Sequence, residues 1–182
     1  MLIEGGMNTM TNEILECLKK RRSVRSYLKR QVEEEALCAI LEAGTYAATG
    51  RNLQSPVIVC VQDPETVRYL SKCNAAVMGM DGDPFYGAPT VVVVLADRGV
   101  STHKEDGALV IGNMMNAAFS VGVDSCWIHR AREVFDSAEG KALLEKWGIA
   151  GDYEGVGNLI LGYRSSDLPD ARPRKENYIY RV

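Results

Sequence analysis

The sequence has little of the chemistry that hydrolases and metalloenzymes use. It contains only two histidines, His103 and His129, and neither lies in a recognisable nucleophile motif. Its five cysteines are odd in number and are never spaced as Cys-x-x-Cys. No cluster of His, Cys or carboxylate residues has the spacing of metal ligands, so we expect no metal site. The cysteines lie in apolar stretches, and we expect reduced core thiols without a disulfide.

Long apolar runs and an excess of positive charge are absent too. Apolar stretches such as residues 90–96 are too short to cross a bilayer. The N-terminal "MLIEGGMNTM" lacks the basic start and the apolar core of a secretion signal, so we expect a cytoplasmic protein without membrane contact. The net charge of -3 also argues against a general affinity for nucleic acid.

A dinucleotide-binding glycine motif is missing as well. The stretch "GVGNLILG" begins like GxGxxG but does not complete the pattern. What is present is a chain of 182 residues with 46% hydrophobic residues and no low-complexity tract. That composition is typical of one globular domain, which we expect to span residues 1–182.

Hydrophobic periodicity predicts helices that alternate with strands. The predicted helices are 11–22, 33–47, 65–77, 103–121 and 137–147, and the predicted strands are 57–61, 90–96, 124–128, 156–163 and 178–182. Alternation alone favours a doubly wound parallel sheet, with the 57–61 strand buried on both faces. The 103–121 helix is apolar almost all the way round, which indicates cover by a second subunit or by the chain's own core.

Positive charge is concentrated at residues 19–25 and 172–175. Arginine binds phosphate through a planar fork of donors, so two such clusters that converge would hold a phosphate group. A solvated basic surface is the alternative, and it explains Lys19 and Lys20 well. Arg21 and Arg25 are better candidates because they flank Ser23, whose hydroxyl adds another donor.

Two further stretches carry groups that suit a planar ligand. In "TGRNLQSP", the amides of Asn52 and Gln54 can donate and accept along the edge of a heterocycle, although a simple turn explains them equally well. In "SCWIH", backbone groups could lie against the same ring, whereas Trp127 by itself reads as a core residue.

Together, these stretches resemble the nitroreductase family of FMN-dependent oxidoreductases from about Asn12 to the end of the chain. "RRSVRSY" resembles the family's N-terminal flavin motif, and "AATGRNLQSP" is similar to a stretch that ends in Asn-x-Gln-Pro, here with Gln-Ser-Pro and with Val57 in place of an aromatic residue. "EDGALVIGNMMNAAFSVGVDSCWIH" resembles the long central helix and the segment after it, and "LGYR" and "ARPRKEN" resemble the closing strand and basic loop.

The resemblance implies a fold that differs from the doubly wound pattern. It implies an α+β fold in which helices flank a central mixed sheet. It also implies that the C-terminal strand is exchanged in an intertwined homodimer, with FMN in the interface between subunits.

The resemblance further implies which residues bind FMN. Arg21 and Ser23 would bind its phosphate and ribityl end, and Arg25 would lie near N1 and O2 of the ring. The remaining implied residues are Arg22, Arg172 and Arg174 near the phosphate (Lys175 in place of Arg174 if the register shifts), Asn52 and Gln54 from the other subunit, and Trp127, Ile128 and His129 through backbone groups.

The implied activity is the transfer of a hydride from NAD(P)H through the flavin to a small organic acceptor, such as a nitroaromatic compound or a quinone. No acid or base of the protein is obligatory, because the chemistry belongs to the cofactor. The alternative from another class is a non-catalytic protein that binds flavin or a phosphorylated ligand.

Overall fold

A four-stranded antiparallel sheet lies between two layers of helices in the computed structural model, which describes residues 10–182. The helices are α1 (Glu13–Lys20), α2 (Glu34–Thr45), α3 (Pro64–Met78), α4 (His103–Ser120), α5 (Ala131–Asp136) and α6 (Ala138–Lys146). The strands are β1 (Pro56–Val61), β2 (Thr90–Asp97), β3 (Asp124–Ile128) and β4 (Tyr153–Gly162). Residues 1–9, on which the expectation about a secretion signal partly rests, lie outside the described residues.

The strands are ordered β1-β2-β4-β3, and β2 lies at the centre of the core. Its side chains alternate between the two faces of the sheet: Val91, Val93 and Leu95 pack in the core cluster that includes α3, α5 and α6 residues. Val92 and Val94 pack in the other cluster with residues of α2 and α4. The continuous apolar run of β2 is therefore explained by helices on both faces.

The doubly wound parallel sheet that alternation alone favours is wrong. Each pairing between named strands is antiparallel, and a parallel bridge between Ser23 and Ser125 lies beside β3. A run of apolar residues reports burial on both faces, which an antiparallel sheet between helices also achieves, so the pattern could not determine strand direction. The α+β fold that the resemblance implied is confirmed.

Most predicted elements are present, and their ends follow local capping signals. The side chain of Asn12 accepts from the Leu15 amide at the start of α1. Asp63 caps α3 in the same way, Pro64 occupies its first turn, and Gly79 ends it in the left-handed conformation. The sequence did not reveal α5, a short helix that begins after Arg130 without a side-chain cap.

Two strand predictions need correction. The strand at 57–61 is not buried on both faces, because β1 lies at one edge of the sheet and only Val61 is buried there. Residues 178–182 form no strand within the described chain and are fully exposed. An extended segment needs a neighbouring strand for its hydrogen bonds, and one copy of the chain provides none at this position.

The five cysteines are free thiols, and they are not all in the core. Only Cys126 is buried; Cys17 and Cys73 are half-buried, and Cys38 and Cys60 are exposed. Residues 10–182 contain no helix with the length and apolar character needed to span a membrane. The same residues contain no group of three or more His, Cys, Asp or Glu side chains arranged to hold a metal ion.

A buried carboxylate links β4 to the layer of helices. Glu154 is 5% exposed, and its Oε2 lies 2.7 Å from Arg98 Nη1 and 3.5 Å from His103 Nε2. Lys104 Nζ lies 3.4 Å from Oε1. Burial by itself raises the pKa of Glu154, but the hydrogen bond with His103 and the charges of Lys104, Arg98 and Arg132 hold the pKa below its ordinary value.

We expect Glu154→Gln to lower the free energy of unfolding near neutral pH by about 2 to 3 kcal/mol, because Arg98 then loses a buried anionic partner. A lowered folded-state pKa gives stability that is present above the unfolded-state pKa and is lost as pH falls through the folded-state pKa. The difference between variant and wild type should therefore shrink in acid. Urea unfolding from neutral pH to about pH 3 measures it, with the exposed Glu139→Gln as control. A difference that does not change with pH would contradict this account.

Candidate functional site

The arginine-rich segment 21–27 lies along the free edge of β3. The Val24 amide donates to the carbonyl oxygen of Ser125 at 3.1 Å, next to the parallel bridge between Ser23 and Ser125. Val24 and Tyr27 are buried in the core cluster beneath the sheet. The basic segment is thus attached to the sheet by its backbone and anchored by two apolar side chains.

This attachment sends three polar side chains to a common region. Arg21, Ser23 and Arg25 alternate along an extended segment, so they share a side of it. Burial raises the pKa of Cys126. The rise is opposed by the charge of Arg25, by a hydrogen bond with Ser23 and by the charge of Arg21. All three groups therefore lie within electrostatic reach of one thiol on β3.

The two arginines are not neutralised by carboxylates. Within residues 10–182, no Asp or Glu oxygen lies within 4.0 Å of the Arg21 or Arg25 guanidinium. Beside them, the Ser125 hydroxyl is buried and has no hydrogen-bond partner in the described part of the chain. Free cations beside an unpartnered hydroxyl fit an anionic ligand with oxygen atoms, such as the phosphate end of FMN.

Arg22 has a structural role that its motif did not indicate. Its Nη1 donates to the carbonyl oxygens of Lys19 and Arg21, each at 2.7 Å. These carbonyls belong to the C-terminal end of α1, where backbone acceptors lack helical partners. Arg22 therefore fixes the junction between α1 and the arginine-rich segment.

A hollow of about 280 Å³ opens beside Arg25. We call it the Arg25 hollow, and its lining residues are Arg25, Met78, Met80, Pro84, Tyr86, Trp127, Ile128, His129 and Arg130. The glycine- and proline-rich loop between α3 and β2 thus lines a cavity. Tyr86 lies in the lining, whereas its neighbour Phe85 is a fully buried core residue.

Asp83 holds this loop in shape. Its carboxylate accepts hydrogen bonds from the Ser71 hydroxyl, from the Phe85 amide at 2.9 Å and from the Gly87 amide at 2.6 Å. The bonds tie the loop to α3 and leave Tyr86 on the cavity side with a positive φ of 54°. The motif search missed Asp83, although an Asp between glycine and proline is a signal for such a turn.

The three residues at the end of β3 that line the Arg25 hollow differ in their burial. Trp127 is half-buried and packs against the cluster that includes α4 residues, so it has the core role expected from its type. Ile128 is 8% exposed and packs in the opposite cluster, so only its backbone is available to a ligand. His129 is exposed at the rim.

Asn52 and Gln54 lie on an exposed loop, and the Gln54 amide donates to Asn52 Oδ1 at 3.3 Å. Arg51, Asn52 and Gln54 all have φ values between 50° and 55°, a left-handed conformation that costs free energy for residues other than glycine. Within one copy of the described chain, no hydrogen bond connects this loop to the residues that surround Arg25.

Asp106 connects the strained loop at residues 50–54 to α4. It is 2% exposed on α4, and its carboxylate accepts from the Gly50 amide at 2.9 Å and from the Thr102 hydroxyl at 3.1 Å. A Cβ at Gly50 would lie 2.2 Å from Thr102 Oγ1, so only glycine allows this approach. No sequence signal distinguishes Asp106, which follows the charged residues Lys104 and Glu105 in the first turn of α4.

The tail arginines carry no ion pair within residues 10–182. Arg172 and Arg174 are exposed, and Arg174 donates to the carbonyl of Arg172. Lys175 lies 5.1 Å from the ring centre of Tyr178. In residues 10–182, no hydrogen bond or ion pair joins the tail cations to Arg21 or Ser23.

Comparison with known proteins shows which family the chain belongs to. The model of the nitroreductase family matches residues 18–80. A protein of Archaeoglobus fulgidus with the provisional name NADH dehydrogenase/NAD(P)H nitroreductase is 30% identical over 157 residues, which cover 81% of this chain and 85% of the relative.

Solved structures give the same result. A nitroreductase with bound FMN from Bacteroides fragilis has a TM-score of 0.87 and 32% identity, covering 94% of this chain and 100% of that chain. A nitroreductase with bound FMN from Desulfitobacterium hafniense, at 24% identity, supports the fold with a TM-score of 0.85 over 95% of this chain and all of its own. The chain therefore belongs to the nitroreductase family, the FMN-dependent oxidoreductases that its motifs resemble.

Proposed function

We propose that this protein binds FMN and uses NAD(P)H to reduce a small organic acceptor such as a nitroaromatic compound or a quinone. The observation that carries the proposal is a pair of arginines without carboxylate partners, Arg21 and Arg25. They lie with Ser23 on the edge of β3, next to the Arg25 hollow. The relatives named for nitroreductase activity, and the FMN-bound nitroreductase with a closely similar fold, support it.

In this proposal, the cofactor residues divide into a phosphate end and a ring end. Arg21 and Ser23 bind the phosphate and ribityl end, with Arg22 at the adjoining helix end and with Arg172 and Arg174 from the tail. At the ring end, Arg25 lies near N1 and O2, and the backbone of Trp127, Ile128 and His129 borders the ring. Asn52 and Gln54 reach the ring from a second copy of the chain.

When bound, FMN supplies the chemistry of accepting a hydride and passing it on. The chain contributes binding and electrostatics. Arg25 places positive charge beside the pyrimidine edge of the ring, where reduction adds negative charge, and this interaction strengthens when a ligand displaces water from the hollow. The loop at Met78–Tyr86 limits the access of solvent and of bulky acceptors to the same space.

A homodimer completes the proposed site. Exposed apolar side chains on α1 and α4 include Ile14, Leu18 and Leu109, which are between 48% and 71% exposed. The tail residues Tyr178, Ile179 and Tyr180 are between 68% and 80% exposed. Apolar surfaces of this kind are typical of subunit contacts, and we propose that the tail crosses to the partner.

The free thiols and the need for NAD(P)H support the cytoplasmic location that we propose.

We expect the purified protein to be yellow, with the absorption spectrum of bound flavin, and to bleach when NADH or NADPH is added without oxygen. Addition of a quinone or a nitroaromatic compound should restore the colour. Comparing the initial rates with the two nucleotides establishes which one is preferred. If the reconstituted protein instead holds flavin that neither nucleotide bleaches, or holds no flavin and binds a phosphorylated ligand such as RNA with a steep salt dependence, the non-catalytic alternative is correct.

We expect Arg25→Ala to retain FMN but to lower its midpoint potential, because the variant loses positive charge that favours the reduced form. For a two-electron couple, each ~1.4 kcal/mol of lost preference lowers the potential by about 30 mV. Spectroelectrochemical titration measures the change. Lys29→Ala removes an exposed cation from the same region and serves as the matched control. An unchanged potential in Arg25→Ala would rule out the role proposed for Arg25.

We expect a chain that ends at Asp170 to be monomeric by light scattering and to bind FMN weakly, because it lacks both the apolar tail and its arginines. The double variant Arg172→Ala/Arg174→Ala should stay dimeric but bind FMN more weakly, with riboflavin binding much less affected. This difference separates the phosphate contacts from the subunit contact. A truncated chain that remains a dimer would refute tail exchange as the basis of assembly.

A further inference from the structure

The arginine-rich segment leaves β3 at Val24 and returns to the sheet at Tyr27 and Leu28. We call residues 24–28 the arch and its two attached ends the feet, and Arg25 lies between them. At one foot of this arch, the Val24 amide donates to Ser125, as described above. At the other foot, the Leu28 amide donates to the Tyr163 carbonyl at 2.8 Å, and Tyr27 forms an antiparallel bridge with Arg164. Arg25 itself is exposed, so its position depends on the two feet.

The Tyr27 side chain connects the two feet of the arch. Its side chain is buried, and its hydroxyl donates to the carbonyl oxygen of Val24 at 2.8 Å. The ring passes close to β4, since a Cβ at Gly162 would lie 2.8 Å from Tyr27 Cδ1. The phenol therefore fixes the distance between Val24 and Tyr27, and with it the backbone that carries Arg25.

An ion pair holds the second foot in register with β3. Asp124 is 3% exposed, and its carboxylate accepts from the Arg164 backbone amide at 3.2 Å. The same carboxylate accepts from Arg164 Nη1 at 3.2 Å and 3.1 Å. Because Arg164 is also the bridge partner of Tyr27, the pair connects the start of β3 to the far foot of the arch.

We infer that Tyr27 and the Asp124–Arg164 pair are positioning residues that set the place of the Arg25 guanidinium, and through it the preference of the site for reduced over oxidised FMN. This inference rests on the proposed function. Tyr27, Asp124 and Arg164 are not among the residues that line the Arg25 hollow.

The protonation state of the phenol suits this role. Burial raises the pKa of Tyr27 well above its ordinary value, and the nearby Cys126 and Asp124 raise it further, while Arg25 opposes the rise. The hydroxyl therefore remains a hydrogen-bond donor to Val24 at any pH at which the protein is assayed.

The test is a double-mutant cycle of Tyr27→Phe and Arg25→Ala, read as the midpoint potential of bound FMN. Tyr27→Phe removes only the hydroxyl. We expect it to reduce the preference for reduced FMN by about threefold to tenfold, where tenfold corresponds to about 30 mV. In the Arg25→Ala background, the same substitution should change the preference by less than about twofold, because the group that it displaces is absent.

A merely structural role for Tyr27 would lower thermal stability and leave the potential unchanged. Ser137→Ala is the matched control, since the Ser137 hydroxyl also donates to a backbone carbonyl, that of Val134 at 2.7 Å. It should lower the melting temperature without a change in potential. Arg164→Lys, which keeps the charge but removes the Nη1 group that contacts both oxygens of Asp124, is the second variant and should repeat the pattern of Tyr27→Phe if the phenol proves essential for folding.

The outcomes are distinguishable. An unchanged potential in both Tyr27→Phe and Arg164→Lys, or an equal shift with and without Arg25, overturns the inference while leaving the proposed function intact. A wild-type protein that binds no FMN overturns the proposed function, and the positioning role falls with it.

Discussion

The hydrogen bond between the Val24 amide and the Ser125 carbonyl determines where the proposed cofactor residues lie. It attaches an extended segment to the free edge of β3, and the alternation of side chains then separates inward from outward positions. Val24 is buried, whereas Arg21 and Ser23 are half-buried and Arg25 is exposed. A shift of one residue in this register would bury the arginines and expose the apolar anchor. The position of the cations is therefore a property of the whole sheet.

The order of elements was predictable because its signals are local. The caps at Asn12 and Asp63, the glycine at 79 and the apolar runs each act over one or two turns of chain. Strand direction was not predictable from these signals, because β2 would show the same apolar run in either orientation. The tail was not predictable in isolation either, since the strand expected at 178–182 has no neighbour in one copy of the chain.

Site residues that are contiguous in the sequence could be predicted from their motif. Site residues whose role depends on neighbours distant in the sequence could not. The segment 21–27 carries its own signature, whereas Asp83, Asp106 and Asp124 are separate acids whose roles depend on distant neighbours. Each supports a segment near the site through backbone amides: the 83–87 loop, the strained loop at Gly50, and the turn at Arg164. Only Asp124 is marked in the sequence by apolar neighbours, where a buried carboxylate requires donors, whereas Asp106 follows the charged residues Lys104 and Glu105.

This division of acidic residues explains how an acidic chain maintains a cationic site. The buried carboxylates are saturated by backbone amides or by Arg164, and Glu154 is surrounded by Arg98, His103 and Lys104 on another part of the sheet. Arg21 and Arg25 are left without a carboxylate partner within the described residues. Under the proposed function, a phosphate that binds Arg21 only in the folded chain also stabilises the segment that carries Arg21, so binding of the anion and stability of that segment depend on each other. The pairing of the acids elsewhere thus leaves these cations available to a ligand.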